Sequence, residues 1–219
     1  MNEIIIYGIP GSPFLRSLAL TLEEKELPYQ IKNIGMGGNR HPDYLAKQPF
    51  GKIPVITHGD FTLYETQAMI RYVNRLKDEP NLVPDDPRAE ARMNQVIGIS
   101  DWYVFPGPSA GIGFHRVVAP KFGMPADEAK VAATIEPART CLGALSAILR
   151  DQKFFAGDQI SLADLHLFPH LEFLSLAAPE GPALLAEFPS LTAWLTRMQS
   201  RPSVQATTWE AMTAKAKAA

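Results

Sequence analysis

The spacing of apolar residues changes character along the chain, and each change predicts an element. Ile4 to Tyr7 is a short unbroken apolar run closed by Gly8, the mark of a fully buried strand. Gly8, Pro10 and Gly11 form a loop, and Ser12-Pro13 opens a helix with serine as N-cap and proline in the first helical position. Leu15, Leu18, Ala19 and Leu22 then recur at helical spacing, and the helix is expected to end near Lys25. Tyr29 to Ile34 reads as a second strand. The Gly-rich loop Gly35 to Asn39 leads to a short irregular helix near Pro42 to Ala46. Ile53 to Thr57 is a third strand, His58-Gly59-Asp60 a hairpin turn, and Phe61 to Tyr64 the returning strand. Glu65 to Lys77 is helical, with Met69, Tyr72, Val73 and Leu76 on one face. The order β-α-β-α-β-β-α is complete by residue 78. Pro54 is its anomaly, because a proline inside a strand cannot donate to the ladder.

Strand signals stop there. Asp78 to Pro87 carries three prolines and four acidic residues and reads as a linker. Arg88 to about Phe105 is helical, and the Pro/Gly-rich run Phe105 to Gly113 is expected to interrupt or end that helix before it resumes around Phe114 to Lys121. Asp127 to Arg150 is a long helix that Pro137 is expected to kink. Ser161-Leu-Ala-Asp164 resembles a capping box, starting a helix to about Leu176. Ser190 to Ser200 is another helix, followed by a mostly polar tail.

Composition narrows the chemistry. The 219 residues allow one large domain or two small ones, with 46% apolar and 20% charged residues, an ordinary globular balance. A net charge of −2 offers nucleic acid or acidic membranes no electrostatic attraction. The one cysteine, Cys141, forms no internal disulfide and excludes a thiolate-built metal cluster, so neither metal nor disulfide is expected. Cys141 falls mid-helix, where it is expected to be buried and inert. The start of the chain lacks a signal-peptide pattern and no apolar run reaches about 18 residues, so the expected location is the cytoplasm.

Three segments then combine: Gly11-Ser-Pro-Phe-Leu-Arg16, Gln48-Pro-Phe-Gly-Lys-Ile-Pro54 and Tyr64-Glu-Thr-Gln-Ala-Met-Ile70. In this order and spacing they resemble the cytosolic glutathione transferase family. In the helical half, Phe155-Ala-Gly-Asp-Gln-Ile-Ser-Leu-Ala-Asp164 and Phe188-Pro-Ser-Leu-Thr-Ala-Trp194 resemble the family's second domain. Each motif alone is weak; five in order, over nearly the whole chain, are specific. The resemblance implies an α/β thioredoxin-like domain over 1–78, a linker over 79–87 and an all-α domain over 88–219. It also makes Pro54 a cis proline, leaving Ile53 with outward N–H and C=O groups that an extended peptide can pair with.

Glutathione is such a peptide, and the resemblance assigns its ends. Glu65 and Thr66, where a helix begins, suit the γ-glutamyl ammonium and carboxylate, though as a capping pair they also simply start the helix. Lys52 and His41 match positions that bind the glycine carboxylate; His41 sits in a loop and is otherwise merely solvated. For the thiol, Ser12 at a helix N-terminus can donate its hydroxyl to a thiolate, in the same direction as the helix's positive end. This resembles the serine-type classes (phi, theta or tau-like, or a related bacterial class). Tyr7 is the alternative, since tyrosine-type classes place their hydroxyl near the end of the first strand; otherwise it is a buried strand residue with a satisfied hydroxyl. Arg16, one turn after Ser12, tunes the site or pairs with a carboxylate.

The implied activity is conjugation of glutathione, as co-substrate, to a hydrophobic electrophile. Serine in place of cysteine argues against mixed-disulfide chemistry. The electrophile site is expected to be apolar and to lie between the domains, with Pro10, Trp102, Tyr103, Phe105, Phe114 and Trp209 as candidates, each of which ordinary core packing would also explain. Phe50 matches a position whose aromatic inserts into a partner subunit in some classes, and a homodimer is the family expectation. Two readings stay open beside conjugation: another glutathione-dependent reaction (peroxide reduction, dehalogenation, ether cleavage, isomerisation), and a non-enzymatic carrier or scaffold.

Overall fold

A computed structural model of the chain describes residues 3–218, which group into two compact units: one running to Leu82 and taking in the residues from Ser200 onward, the other Val83–Gln199. In the first unit, β1 (Ile4–Gly8), β2 (Tyr29–Asn33), β3 (Val55–His58) and β4 (Phe61–Tyr64) form one sheet in the order β2-β1-β3-β4. β2 runs parallel to β1; β3 and β4 run antiparallel to their neighbours. Helices α1 (Pro13–Glu24), α2 (Pro42–Leu45) and α3 (Thr66–Arg75) complete the expected β-α-β-α-β-β-α order, the thioredoxin-like arrangement.

β1 alternates as a strand should: Ile4, Ile6 and Gly8 are buried, while Ile5 and Tyr7 are only half-buried. The helix that follows departs from simple amphipathicity, being buried from Leu15 to Leu22 on every face. It packs against α3 on one side and against a later helix on another. Its buried hydroxyls turn back on their own helix, Ser17 to the Pro13 carbonyl and Thr21 to the Ser17 carbonyl, so neither hydroxyl is stranded. Lys25 caps the helix, fully buried, and donates to the Pro80 carbonyl at 2.5 Å. Asn74 accepts from the Leu82 amide at 2.9 Å, so the acidic, proline-rich stretch read as a linker is fastened to the sheet unit as far as Leu82.

The second unit is helical: α4 (Pro87–Ile99), a wide-turn π-type stretch (Ser100–Val118), a short 3-10 turn (Ala119–Phe122), α5 (Glu128–Leu149), α6 (Leu162–Ser175), α7 (Glu180–Ala186) and α8 (Pro189–Gln199). The expected break between Phe105 and Gly113 is narrower than the sequence suggests. Helical geometry is lost at Gly107 alone (φ −87°, ψ −111°), between Pro106 and Pro108. The other glycines serve packing. A Cβ on Gly111 would run into the Thr134 hydroxyl, and one on Gly113 would lie 3.2 Å from the Phe173 Cβ, so the stretch presses its backbone against α5 and α6. Pro137 is carried inside α5, which runs unbroken from Glu128 to Leu149.

The capping box at the start of α6 is present, with one carboxylate doing several tasks. Asp164 accepts from the amides of Ser161 and Phe155, each at 3.0 Å, from the Ser161 hydroxyl at 2.8 Å and from the Trp194 indole at 2.9 Å. It thereby ties α6, the preceding loop and α8 together. Cys141 is buried, which pushes its thiol up to about 11.

Residues read as a polar tail form two further helices, α9 (Pro202–Ala206) and α10 (Trp209–Ala218), and they belong to the first unit rather than to an all-helical 88–219 segment. Ion pairs hold them there. Arg201 grips the Glu24 carboxylate with two bonds (2.8 and 2.7 Å), and the Ser203 hydroxyl donates to the same carboxylate. Lys215 reaches Glu23 at 3.3 Å and lies 3.6 Å above the Tyr29 ring.

In the second unit, His166 and His170 of α6 are both fully buried, their rings 6.0 Å apart. His166 meets Asp101 at 2.7 Å, and His170 meets the Ser109 hydroxyl at 3.0 Å. Burial, reinforced by His166 and opposed by Asp101, lowers His170 from 6.5 to about 3. In the unfolded chain that ring takes its proton near pH 6.5. Between pH 6.5 and 3 the unfolded state therefore binds more protons, and stability drains as pH falls through that window, by up to about 1.4 kcal/mol per pH unit. Denaturant melts across this range should show the loss, with a shallower slope in His170→Gln; equal slopes in both proteins would contradict the assignment.

Candidate functional site

Sheet register gathers the sequence-predicted residues at one end of the first unit. The β1–β3 ladder closes on Tyr7 opposite Val55, and the β3–β4 ladder on Val55 opposite Tyr64. One step beyond, Gly8, Pro54 and Glu65 fall in a row across three neighbouring strands. The Ile53–Pro54 peptide is cis, as expected, and Ile53 lies outside the ladder. Gly8 is where the pieces meet. A Cβ there would sit 2.6 Å from Leu15 Cδ1, in the first turn of α1, and 3.4 Å from the Pro54 Cβ. With no side chain at Gly8, the Leu15 tip and Pro54 both pack directly on the strand end.

Ser12 starts that helix. Its backbone is extended (φ −68°, ψ 127°), and its Oγ accepts from the Leu15 amide at 3.4 Å. A hydroxyl that accepts a bond still holds its own proton, so capping the helix leaves Ser12 able to donate. The carboxyl-ward end of β1 and the amino end of α1 thus present a hydroxyl donor and the helix's positive pole from one point.

Tyr7 is placed differently. Strand alternation sends its side chain to the face opposite Gly8 and Ile6, away from the contact with Leu15. Its ring is half-buried, not fully buried as the sequence reading had it, and it is flanked by the ammonium groups of Lys32 and Lys47 at 5.6 and 5.7 Å from the centroid.

Glu65 immediately precedes α3 and has φ 69° and ψ 113°, an unusual conformation for a residue with a Cβ. Its side chain makes no capping bond and is exposed, while Thr66, the first residue of α3, is buried. The backbone turn thus directs the Glu65 carboxylate away from the role of a plain cap. Such strain is held only where surrounding structure fixes it, and it clusters at binding sites.

Lys52 is exposed, and its backbone is held on both sides: its amide donates to the Gln48 side chain at 3.2 Å, and its carbonyl accepts from the Tyr44 hydroxyl at 2.7 Å. Tyr44, missed by the sequence reading, is buried in α2, which pushes its hydroxyl up to about 12. It stays a neutral donor and links α2 to the approach to Pro54. Asn39 adds a bond to the Gly51 carbonyl at 2.7 Å. His41 is 66% exposed and caps α2, its Nδ1 accepting from the Asp43 amide at 3.4 Å. Its imidazole is already engaged locally.

The apolar candidates divide. Pro10 is buried. Tyr103, Phe105 and Phe114, with Trp102, all lie on the wide-turn stretch of the second unit and are exposed, Trp102 by 78% and Tyr103 by 65%. Phe105 rests edge-on against His170, with centroids 5.9 Å apart. Trp209 is in the first unit, against Gly11. Arg16 is buried and donates to the Val204 carbonyl at 3.4 Å; burial pulls it down to about 10 and Glu210 opposes that shift. Among the described residues no group of three or more His, Cys, Asp or Glu is arranged to hold a metal ion. No helix among them is long and apolar enough to cross a membrane.

The chain is similar to known proteins in sequence and fold. Residues 6–81 match the glutathione S-transferase N-terminal domain, and residues 110–202 the glutathione S-transferase C-terminal domain. Glutathione S-transferase 4 of Zea mays is 33% identical over 205 residues, covering 90% of this chain and 88% of that protein. Among solved structures, glutathione transferase F2 from Populus trichocarpa superposes with a TM-score of 0.84 at 26% identity, over 99% of this chain and all (100%) of that one. A glutathione S-transferase-I bound with the ligand lactoylglutathione superposes at 0.82 with 27% identity, over 94% of this chain and 98% of that one.

The backbone at Glu65 yields a test independent of any ligand. Glu65→Gly removes the Cβ that the positive φ opposes and should stabilise the fold by about 1 kcal/mol. Glu65→Ala keeps the Cβ and should not. Denaturant midpoints compare them; equal midpoints for the two variants would mean that the turn carries no strain.

Proposed function

The chain belongs to the glutathione S-transferase family, and on that premise we propose that Ser12 is the group that holds the glutathione sulfur as a thiolate for attack on a hydrophobic electrophile. It is a transferase with glutathione as its co-substrate. The observation that carries the serine assignment is the convergence at Gly8. The first turn of α1 and the cis-Pro54 loop close on the same strand end, and Ser12 caps that turn with its proton free to give.

The remaining contacts follow the chemistry of the tripeptide. Its extended cysteinyl backbone pairs with Ile53 as an added strand. The γ-glutamyl end lies at the start of α3, with the ammonium on Glu65 and the carboxylate on Thr66. The glycine carboxylate takes Lys52, with His41 in a lesser role because its ring already caps α2. The electrophile draws on the exposed aromatics Tyr103, Phe105 and Phe114. The working form is a homodimer in the cytoplasm; the dimer is supported by Phe50, an aromatic left 64% exposed beside Tyr64.

Steady-state conjugation of glutathione to an activated nitroaryl chloride tests the assignment. Ser12→Ala should lower kcat/KM by about ten- to a hundredfold, because the placement of the sulfur is lost together with the stabilisation of its thiolate, while still binding a glutathione column. Tyr7→Phe should stay within about twofold of wild type. Full activity in Ser12→Ala, or a large loss in Tyr7→Phe alone, would transfer the role to Tyr7.

A further inference from the structure

The residues just ahead of Ser12 are in contact with the far end of the chain. Gly11 has φ 94°, and a Cβ built on it would lie 2.5, 2.6 and 2.7 Å from the Cε2, Cδ2 and Cζ2 atoms of Trp209. The indole is therefore in van der Waals contact with the Gly11 backbone itself, one residue before the N-cap. The same terminal segment touches α1 again one turn later, where Arg16 donates to the Val204 carbonyl and feels the charge of Glu210. Helices α9 and α10 are not loosely laid there. Arg201 and Ser203 bind Glu24 at the carboxyl end of α1, and Lys215 binds Glu23 and covers Tyr29 at the start of β2. The segment is pinned along the whole length of the helix, and its one large aromatic bears on the loop that sets where that helix begins.

Packing at that loop has leverage. The position of Ser12 Oγ depends on how the chain leaves Gly11, and Gly11 has more conformational freedom than any residue with a side chain. The Ser12 amide donates to the Ile9 carbonyl at 3.1 Å, closing the turn from one side, and the indole covers it from another. A hydroxyl that must donate to a sulfur loses most of its value when misplaced by about 1 Å.

We propose that Trp209 is a positioning residue for thiol activation: its indole, braced by α9 and α10 against α1, locks the Gly11 turn so that Ser12 Oγ stands at the correct place to donate. The proposal rests on the assignment of Ser12 as the thiolate donor. The indole need not touch either substrate, and the terminal segment becomes part of the catalytic apparatus of the sheet unit.

The test is the pH dependence of kcat/KM for the electrophile at saturating glutathione, with kcat and the KM for glutathione also resolved, in wild type, Trp209→Ala, Trp209→Leu and Trp209→Phe. The leucine variant keeps apolar volume and serves if the alanine variant fails to fold. In Trp209→Ala and Trp209→Leu the pH midpoint should move up towards that of the free thiol. In both, kcat should fall about tenfold while KM for glutathione changes less than about twofold. Trp209→Phe should recover most of the activity. Midpoints that stay at the wild-type value, even with lower kcat, would overturn the proposal, because a merely structural loss reduces the active fraction without moving a titration. A wild-type midpoint already at the free-thiol value would instead defeat the Ser12 assignment, and this proposal with it.

Discussion

The arrangement depends on close packing at Gly8, where α1 and the cis-proline loop meet the end of β1. This glycine ends β1, and its missing side chain is the space into which Leu15 and Pro54 press. A Cβ at this position would overlap the tip of the Leu15 side chain and touch Pro54, so the first turn of α1 and the cis-proline loop both pack on the strand end. Other features follow from that contact. α1 must start within a few residues of the strand end, so Ser12 and Pro13 occupy the cap and first-turn positions for which their chemistry suits them. The register of β3 and β4 then places Glu65 in line with Pro54 and Gly8, and α3 starts beside them. On the proposed assignment, strand register and one close contact build the peptide site, without a dedicated loop of any length.

Magnitudes indicate what such a site has to supply. Suppose that the bound thiol falls from about 8.5 to about 6.5. The thiolate fraction at pH 7 rises about 25-fold, but a less basic sulfur is a poorer nucleophile, by about 8-fold for a Brønsted slope near 0.45. The net gain is about 3-fold. Most of the acceleration must come from holding sulfur and electrophile in attacking geometry, where effective molarities are far larger. On the proposed assignment, rigidity around Ser12 therefore has greater consequences than its hydroxyl alone. It also gives physical meaning to the buried α1, the pinned Lys52 loop and the terminal helices that brace them.

Much of this was legible in the sequence where local chemistry and periodicity agree. The Ser12-Pro13 helix start, the strand runs around Ile6 and Ile56, the His58–Asp60 hairpin and the Ser161/Asp164 capping box all combine a pattern with a residue type that serves it. Pro54 was legible because it contradicted its own strand. What stayed hidden depends on distant partners. Tyr44 looks like any aromatic of a short helix until its hydroxyl meets the Lys52 carbonyl. Glu65 carries no local sign of a positive φ. The last two helices bury few residues, Val204 and Met212 among them, and attach by ion pairs to Glu23 and Glu24, so no apolar stripe announces them. Tyr7 looked buried because β1 is apolar throughout, yet its face of the sheet is covered partly by lysines.

The central claim is that the start of α1 stabilises a thiolate, and the most direct measurement is a titration of the glutathione thiol bound to the wild-type protein, followed by thiolate absorbance. The account predicts a midpoint clearly below that of free glutathione, and its return towards the free value in Ser12→Ala. A bound thiol that titrates like the free one would mean that Ser12 is only a helix cap, and would contradict the account.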